Sequence, residues 1–175
     1  PEVYKKEIKN ASLVANPGCY PTSAILGIAP LLADCLVDST GIIIDAKSGT
    51  SGAGRKLSLG LHFAECNESF KAYKCLMHNH IPEIEQELSF IHYGQKNQEK
   101  REPIKVSFTP HLLPINRGIL STCYLDLKKD SSNVDIFASY KEFYHDAPFV
   151  RIYNPPNLPE VRFVAGTNYC DIGFA

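Results

Sequence analysis

Apolar and polar positions alternate along this chain in short blocks separated by Gly, Pro and charged residues. Enrichment in β-branched and aromatic residues predicts strands at about 11–16, 41–48, 104–109, 118–128, 149–153 and 160–165. Helices are predicted at about 22–36, 81–92 and 133–146. The first carries Pro30 in its interior and is expected to kink or step there. The second opens near Pro82 and sets Glu83, Glu85 and Glu87 toward its start, where the helix dipole favours negative charge. Residues 93–103 are polar and read as an exposed loop, and residues 154–160 (NPPNLPE) as a proline-rich connector. Strands separated by long connections suit an α+β domain with a mixed sheet covered by helices better than a doubly wound parallel sheet.

Composition narrows this picture. The 175 residues are enough for one domain with a substantial core. Eighteen basic and nineteen acidic residues leave a net charge of −1, which gives no footing for nucleic acid or a membrane surface. No apolar run approaches a membrane span. Six cysteines lie far apart without a CxxC pair, as in a protein of a reducing, cytoplasmic compartment. No dinucleotide-type glycine fingerprint or P-loop is present, and the chain opens on Pro1 without an initiator methionine, which reads as a piece of a longer polypeptide.

The chemistry concentrates in a few clusters. In Asn16-Pro17-Gly18-Cys19-Tyr20-Pro21-Thr22 a cysteine sits in a tight turn at or just before a helix start. The positive end of a helix favours an anion, so Cys19 is a candidate thiolate nucleophile; the competing reading is a buried structural thiol. His78-Asn79-His80 precedes the Pro82 helix, where an imidazole is favoured neutral and able to take a proton, and Glu83 stands where it can orient a ring. His62, Cys66, Cys75, His78 and His80 raise a metal site, but the short ligand-pair spacings of zinc sites are missing, so no metal is expected. The glycine-rich stretch 48–55 presents Arg55. Arg117-Gly118 opens a strand after His111, and its guanidinium suits a carboxylate or phosphate or merely caps a surface. Gly166 permits close backbone approach, and Asn168 offers an acceptor and donors.

Taken in order, NPGCYPT (16–22), SGAGR (51–55), HNHIPEIEQEL (78–88), FTPHLLPINRGIL (108–120) and GTNYCDIG (166–173) resemble the N-acetyl-gamma-glutamyl-phosphate reductases of arginine biosynthesis over nearly the whole chain. SGAGR is weak evidence; the Cys, His and Arg motifs together are specific. The wider group includes aspartate-semialdehyde dehydrogenase and, more remotely, glyceraldehyde-3-phosphate dehydrogenase. The resemblance implies a mixed, largely antiparallel sheet covered by helices, like the C-terminal domain of the latter. It also implies NADPH-dependent reduction of an acyl phosphate to an aldehyde through a Cys19 thioester. His80 then becomes the first choice for the acid/base, with His78 the other candidate. Arg55, Arg117 and Glu83 fall to the substrate, Asn168 and Gly166 to the nicotinamide side of NADP. Residues 1–175 correspond to the catalytic and dimerisation domain, expected to form a homodimer through its sheet, without the Rossmann domain and terminal helix of the full family and so without turnover of its own. The alternatives are a reductase of an aspartyl or aminoadipyl phosphate, or a non-catalytic metal-binding or assembly module.

Overall fold

A computed structural model describes residues 1–94, 102–129 and 131–175. Most of the loop expected at 93–103 lies outside the described residues. Strands β1 (Ile42–Ser48), β2 (Lys71–Ala72), β3 (Val106–Leu112) and β4 (Ile119–Tyr124) form one sheet in the order β2-β3-β1-β4. β1 and β3 run parallel, with Ile42 opposite Val106 and Ser48 opposite Leu112. β4 joins β1, and β2 joins β3, in antiparallel register. A separate parallel pair is made by β5 (Val150–Ile152) and β6 (Cys170–Ile172). The helices are α1 (Lys5–Lys9), α2 (Cys19–Ala33), α3 (Phe63–Cys66), α4 (Ile81–Tyr93), α5 (Asn133–Phe143) and α6 (Val161–Val164). This is the expected α+β class with a mixed sheet.

Alternation along β1 gives the sheet two different faces. Ile42, Ile44 and Ala46 are buried, as are Val106 and Phe108 opposite them on β3. That face meets α2 and α4. The other face shows Ile43 and Tyr124, which are 46% and 55% exposed. α2 is apolar on nearly all sides because it is enclosed on nearly all sides, from Tyr20 and Pro21 to Leu31 and Leu32. Each buried Leu or Ile among them contributes about 1.5–3 kcal/mol relative to exposure.

Pro30 in α2 has no N–H for the carbonyl of Leu26, four residues back. Tyr144, just after α5, fills the gap, and Tyr140 of α5 bonds the neighbouring carbonyl. The Tyr144 hydroxyl donates to the Leu26 carbonyl at 2.7 Å, and the Tyr140 hydroxyl donates to the carbonyl of Gly27. α5 is itself started by a capping box: Ser132 N–H donates to Asp135 Oδ2 at 2.9 Å, and the Asp135 N–H donates back to Ser132 Oγ.

Two expected strands do not form. Among the described residues no strand pairs with 11–16, and Leu13 is 88% exposed; strand-like composition needs a neighbouring strand to act on. The stretch 160–165 contains α6 instead, closed by Ala165 N–H to the Val161 carbonyl at 3.1 Å. The first helix also begins three residues earlier than expected. Pro21 occupies its third position, where an N–H has no partner within the helix to lose.

Candidate active site

Cys19 is the first residue of α2 and is exposed. The cap before it, Gly18, is extended (φ −64°, ψ 160°), and its carbonyl accepts both the N–H and the hydroxyl of Thr22, at 3.0 and 2.9 Å. The cysteine therefore stands at the end of the helix where the dipole favours an anion.

The two histidines reach this turn from β3 by way of a bent segment. Tyr73 N–H donates to the Pro110 carbonyl and Leu76 N–H to that of Phe108, at 3.0 and 3.1 Å, with Lys74 and Leu76 in left-handed conformation (φ 45° and 55°). The result separates the histidines by environment. His78 is buried among the rings of Tyr20, Tyr73 and Phe108, with centroids 5.4–5.8 Å away. Its Nδ1 accepts the His80 N–H at 3.2 Å, which leaves the proton of the neutral ring on Nε2. Burial, and next the positive charge of His80 and Lys74, pull its pKa below the ordinary histidine value. His80 caps α4 and is half-buried. Its ring lies on Gly18: a Cβ there would sit 2.6 Å from Nε2. Nδ1 of His80 is buried without a partner among the described residues.

Glu83 reaches neither imidazole. Its Oε1 accepts the Gly18 N–H at 3.0 Å, across the interface between α4 and α2. Sequence reasoning missed that contact, because 65 residues separate the two ends. It also passed over Tyr20, beside the cysteine. The Tyr20 hydroxyl lies 3.0 Å from that of Tyr73, and burial pushes its pKa well above the usual tyrosine range.

The two arginine loops are laced together. Gly49, Thr50 and Ser51 donate their N–H groups to the carbonyls of Gly118, Ile115 and Asn116, at 3.0, 2.9 and 3.1 Å. A Cβ on Gly49 would come within 2.8 Å of the Arg117 backbone, so only glycine allows that approach. Arg117 lines a groove of about 940 Å³ together with Cys19, Thr22, Ser23, Gly166 and Tyr169. Arg55 is exposed on the far part of its loop and stands outside the groove, as does exposed Asn168. The turn carrying Gly166 (φ 77°) is anchored through β6. Asp171 there takes Arg151 Nε and Nη2 at 2.6 and 2.8 Å and the Tyr153 hydroxyl at 3.0 Å. His111 belongs elsewhere. Its Nδ1 is 3.0 Å from Asp45 Oδ1, beside Lys47, on the face of the sheet that bears Ile43. Among the described residues no three His, Cys, Asp or Glu side chains are grouped to hold a metal ion.

Residues 19–175 match the family described as semialdehyde dehydrogenase, dimerisation domain. The chain is 55% identical over 173 residues to the N-acetyl-gamma-glutamyl-phosphate reductase of Pelotomaculum thermopropionicum, covering 99% of this chain and 48% of that protein. The same-named protein of Acetivibrio thermocellus is 51% identical with the same coverage. The chain thus spans about half the length of the curated relatives it matches. In fold it is similar to aspartate semialdehyde dehydrogenase II from Vibrio cholerae complexed with ASA, with a TM-score of 0.63 at 12% identity over 96% of this chain and 53% of that one. The NADP-bound Candida albicans aspartate semialdehyde dehydrogenase gives 0.56 at 15% identity, over 90% of this chain and 46% of the other.

Proposed function

The chain belongs to the semialdehyde dehydrogenase dimerisation-domain family, and from that premise we propose that it is the catalytic and dimerisation part of an NADPH-dependent N-acetyl-glutamyl 5-phosphate reductase. The observation that carries this reading is the His80 ring lying on Gly18, one residue from an exposed cysteine in the first turn of a helix. The relatives named as reductases of that substrate, at 51–55% identity, support the choice of acyl phosphate.

Cys19 attacks the acyl carbon as a thiolate, the bond from that carbon to the phosphate oxygen breaks, and phosphate leaves with the electron pair. A thioester remains on Cys19. The N–H groups of Cys19 and Tyr20, at the start of α2 where no carbonyl of the helix can accept them, stabilise the developing oxyanion. Arg117, on the same groove, holds the phosphate or the substrate carboxylate. Arg55 is a more distant holder of the same kind. When bound, a nicotinamide cofactor supplies the hydride that turns the thioester into a thiohemiacetal. Gly166 fits the nicotinamide end, since a positive φ lets bare backbone approach at the groove, and Asn168 adds amide donors two residues on. The rest of the cofactor is held by chain outside these 175 residues. His80 gives a proton to the oxygen as the thiohemiacetal forms and takes it back as the C–S bond breaks, which releases the semialdehyde and returns the Cys19 thiolate. His78, whose Nδ1 is occupied and whose ring is enclosed, supports His80.

The face of the sheet bearing Ile43, Leu120 and Tyr124 is exposed, and this exposure, with the family description, supports a dimer in which that face meets a second copy. The test offers N-acetyl-glutamyl phosphate and aspartyl phosphate to the 175-residue chain and to Cys19→Ser. The expected result is acylation of Cys19 by the first substrate, its absence in Cys19→Ser, and no NADPH oxidation without the cofactor domain. Acylation at another residue, or preference for aspartyl phosphate, would overturn the reading.

A further inference from the structure

Gly18 caps α2 without a side-chain oxygen to offer the helix. In a capping box the third helical residue reaches back to the N–H of the cap. In α2 that residue is Pro21, which has no acceptor in its side chain. α4 presents the converse case. Its third residue is Glu83, which by the same local rule would bond the N–H of its own cap, His80. That donor is already taken by His78 Nδ1 at 3.2 Å, and the Glu83 carboxylate bonds the Gly18 N–H at 3.0 Å.

We propose that Glu83 is a positioning residue that completes the capping box of α2 from α4, and so fixes the separation between Cys19 and His80. This inference rests on the reading of Cys19 and His80 as nucleophile and acid/base. Two links join the same two turns: the Glu83–Gly18 hydrogen bond and the seat of the His80 ring on the Gly18 Cα. One holds the turns together and the other keeps them from closing further. His78 takes part in the same exchange, because by capping His80 it releases Glu83 for Gly18.

The experiment measures iodoacetamide alkylation of the 175-residue chain by peptide mass mapping, with exposed Cys35 as internal reference. Glu83→Gln keeps the reach and an acceptor oxygen, whereas Glu83→Asp keeps the charge and loses the reach. Glu83→Ala loses both. The ratio of Cys19 to Cys35 labelling is expected to fall about fivefold or more in the Asp and Ala variants and to recover to within about twofold in Gln, at unchanged thermal midpoint for Gln. Should Ala fail to fold, the Gln and Asp pair carries the comparison. An Asp variant equal to wild type, or a Gln variant as slow as Asp, would overturn the positioning role. Wild-type Cys19 reacting no faster than Cys35 would instead overturn the nucleophile reading, and this inference with it.

Discussion

Replacing Gly18 by alanine tests the site with one methyl group. An ideal Cβ at this position stands 2.6, 2.8 and 3.0 Å from Nε2, Cε1 and Cδ2 of His80, and ordinary contact begins near 3.4 Å, so the imidazole must retreat by about 0.8 Å. The backbone itself raises no objection, because φ −64° is open to any residue. Alanine is a poorer cap than glycine, by about 0.5–1 kcal/mol, but it also lowers the entropy of the unfolded chain by about 0.4–1 kcal/mol, and these nearly offset. What remains is the crowding, about 1–3 kcal/mol if the ring cannot yield and less if it swings outward. A misplacement near 1 Å costs about 100-fold in rate. Gly18→Ala is therefore expected to lose about two orders of magnitude in turnover of the proposed reductase, with a loss of no more than about 1–3 kcal/mol in urea stability. The two assays are steady-state NADPH oxidation and the urea midpoint of the isolated chain. Turnover equal to wild type would refute the placement of His80 in the reaction, since nothing else in the turn touches that methyl group so closely.

Three further outcomes are expected. The pKa of His78 lies below the ordinary 6.5 in the folded state, so the unfolded chain binds a proton that the folded chain refuses; the stability it contributes is intact above about pH 6.5 and lost as pH falls through the folded value. Urea midpoints measured at about pH 7.5 and about pH 5.5 should diverge less in His78→Gln than in wild type, and equal divergence would show that another group carries the effect. Tyr144→Phe leaves the Leu26 carbonyl, already without the Pro30 N–H, short of its remaining donor, and should cost about 1–3 kcal/mol in urea unfolding. An unchanged midpoint would mean that the hydroxyl does not compensate for the proline. Ile43→Asp places a charge on the bare sheet face and should shift the sedimentation profile from dimer toward monomer, whereas an unaltered dimer would move the interface to another surface.

The elements legible in the sequence were those governed by local rules. Pro82 and the acidic residues after it announced the start of α4. The turn residues Pro17 and Gly18 announced a helix beginning close to Cys19, and the β-branched run Ile42-Ile43-Ile44 announced β1. The failures share a cause. Leu13-Val14-Ala15 and Val161-Arg162-Phe163-Val164 both have strand composition, and a strand exists only where another strand offers its backbone. Of the three motif residues Arg55, Arg117 and Asn168, only Arg117 lines the groove with Cys19. Motif membership says nothing about where a loop points.

Residue chemistry and short spacing were enough to set the starts of α4 and α5, the candidate nucleophile and the paired histidines, because a turn, a cap or a dipole acts within a few residues. Tertiary packing decided which histidine lies beside Cys19, what Glu83 bonds, and how α2 tolerates Pro30. Each of those depends on contacts between groups 62 to 118 residues apart. At such separations the partner is chosen by how helices stack on a sheet rather than by any pattern along the chain. His78 and His80 are two positions apart, and only the enclosure of one by Tyr20, Tyr73 and Phe108 makes them chemically different.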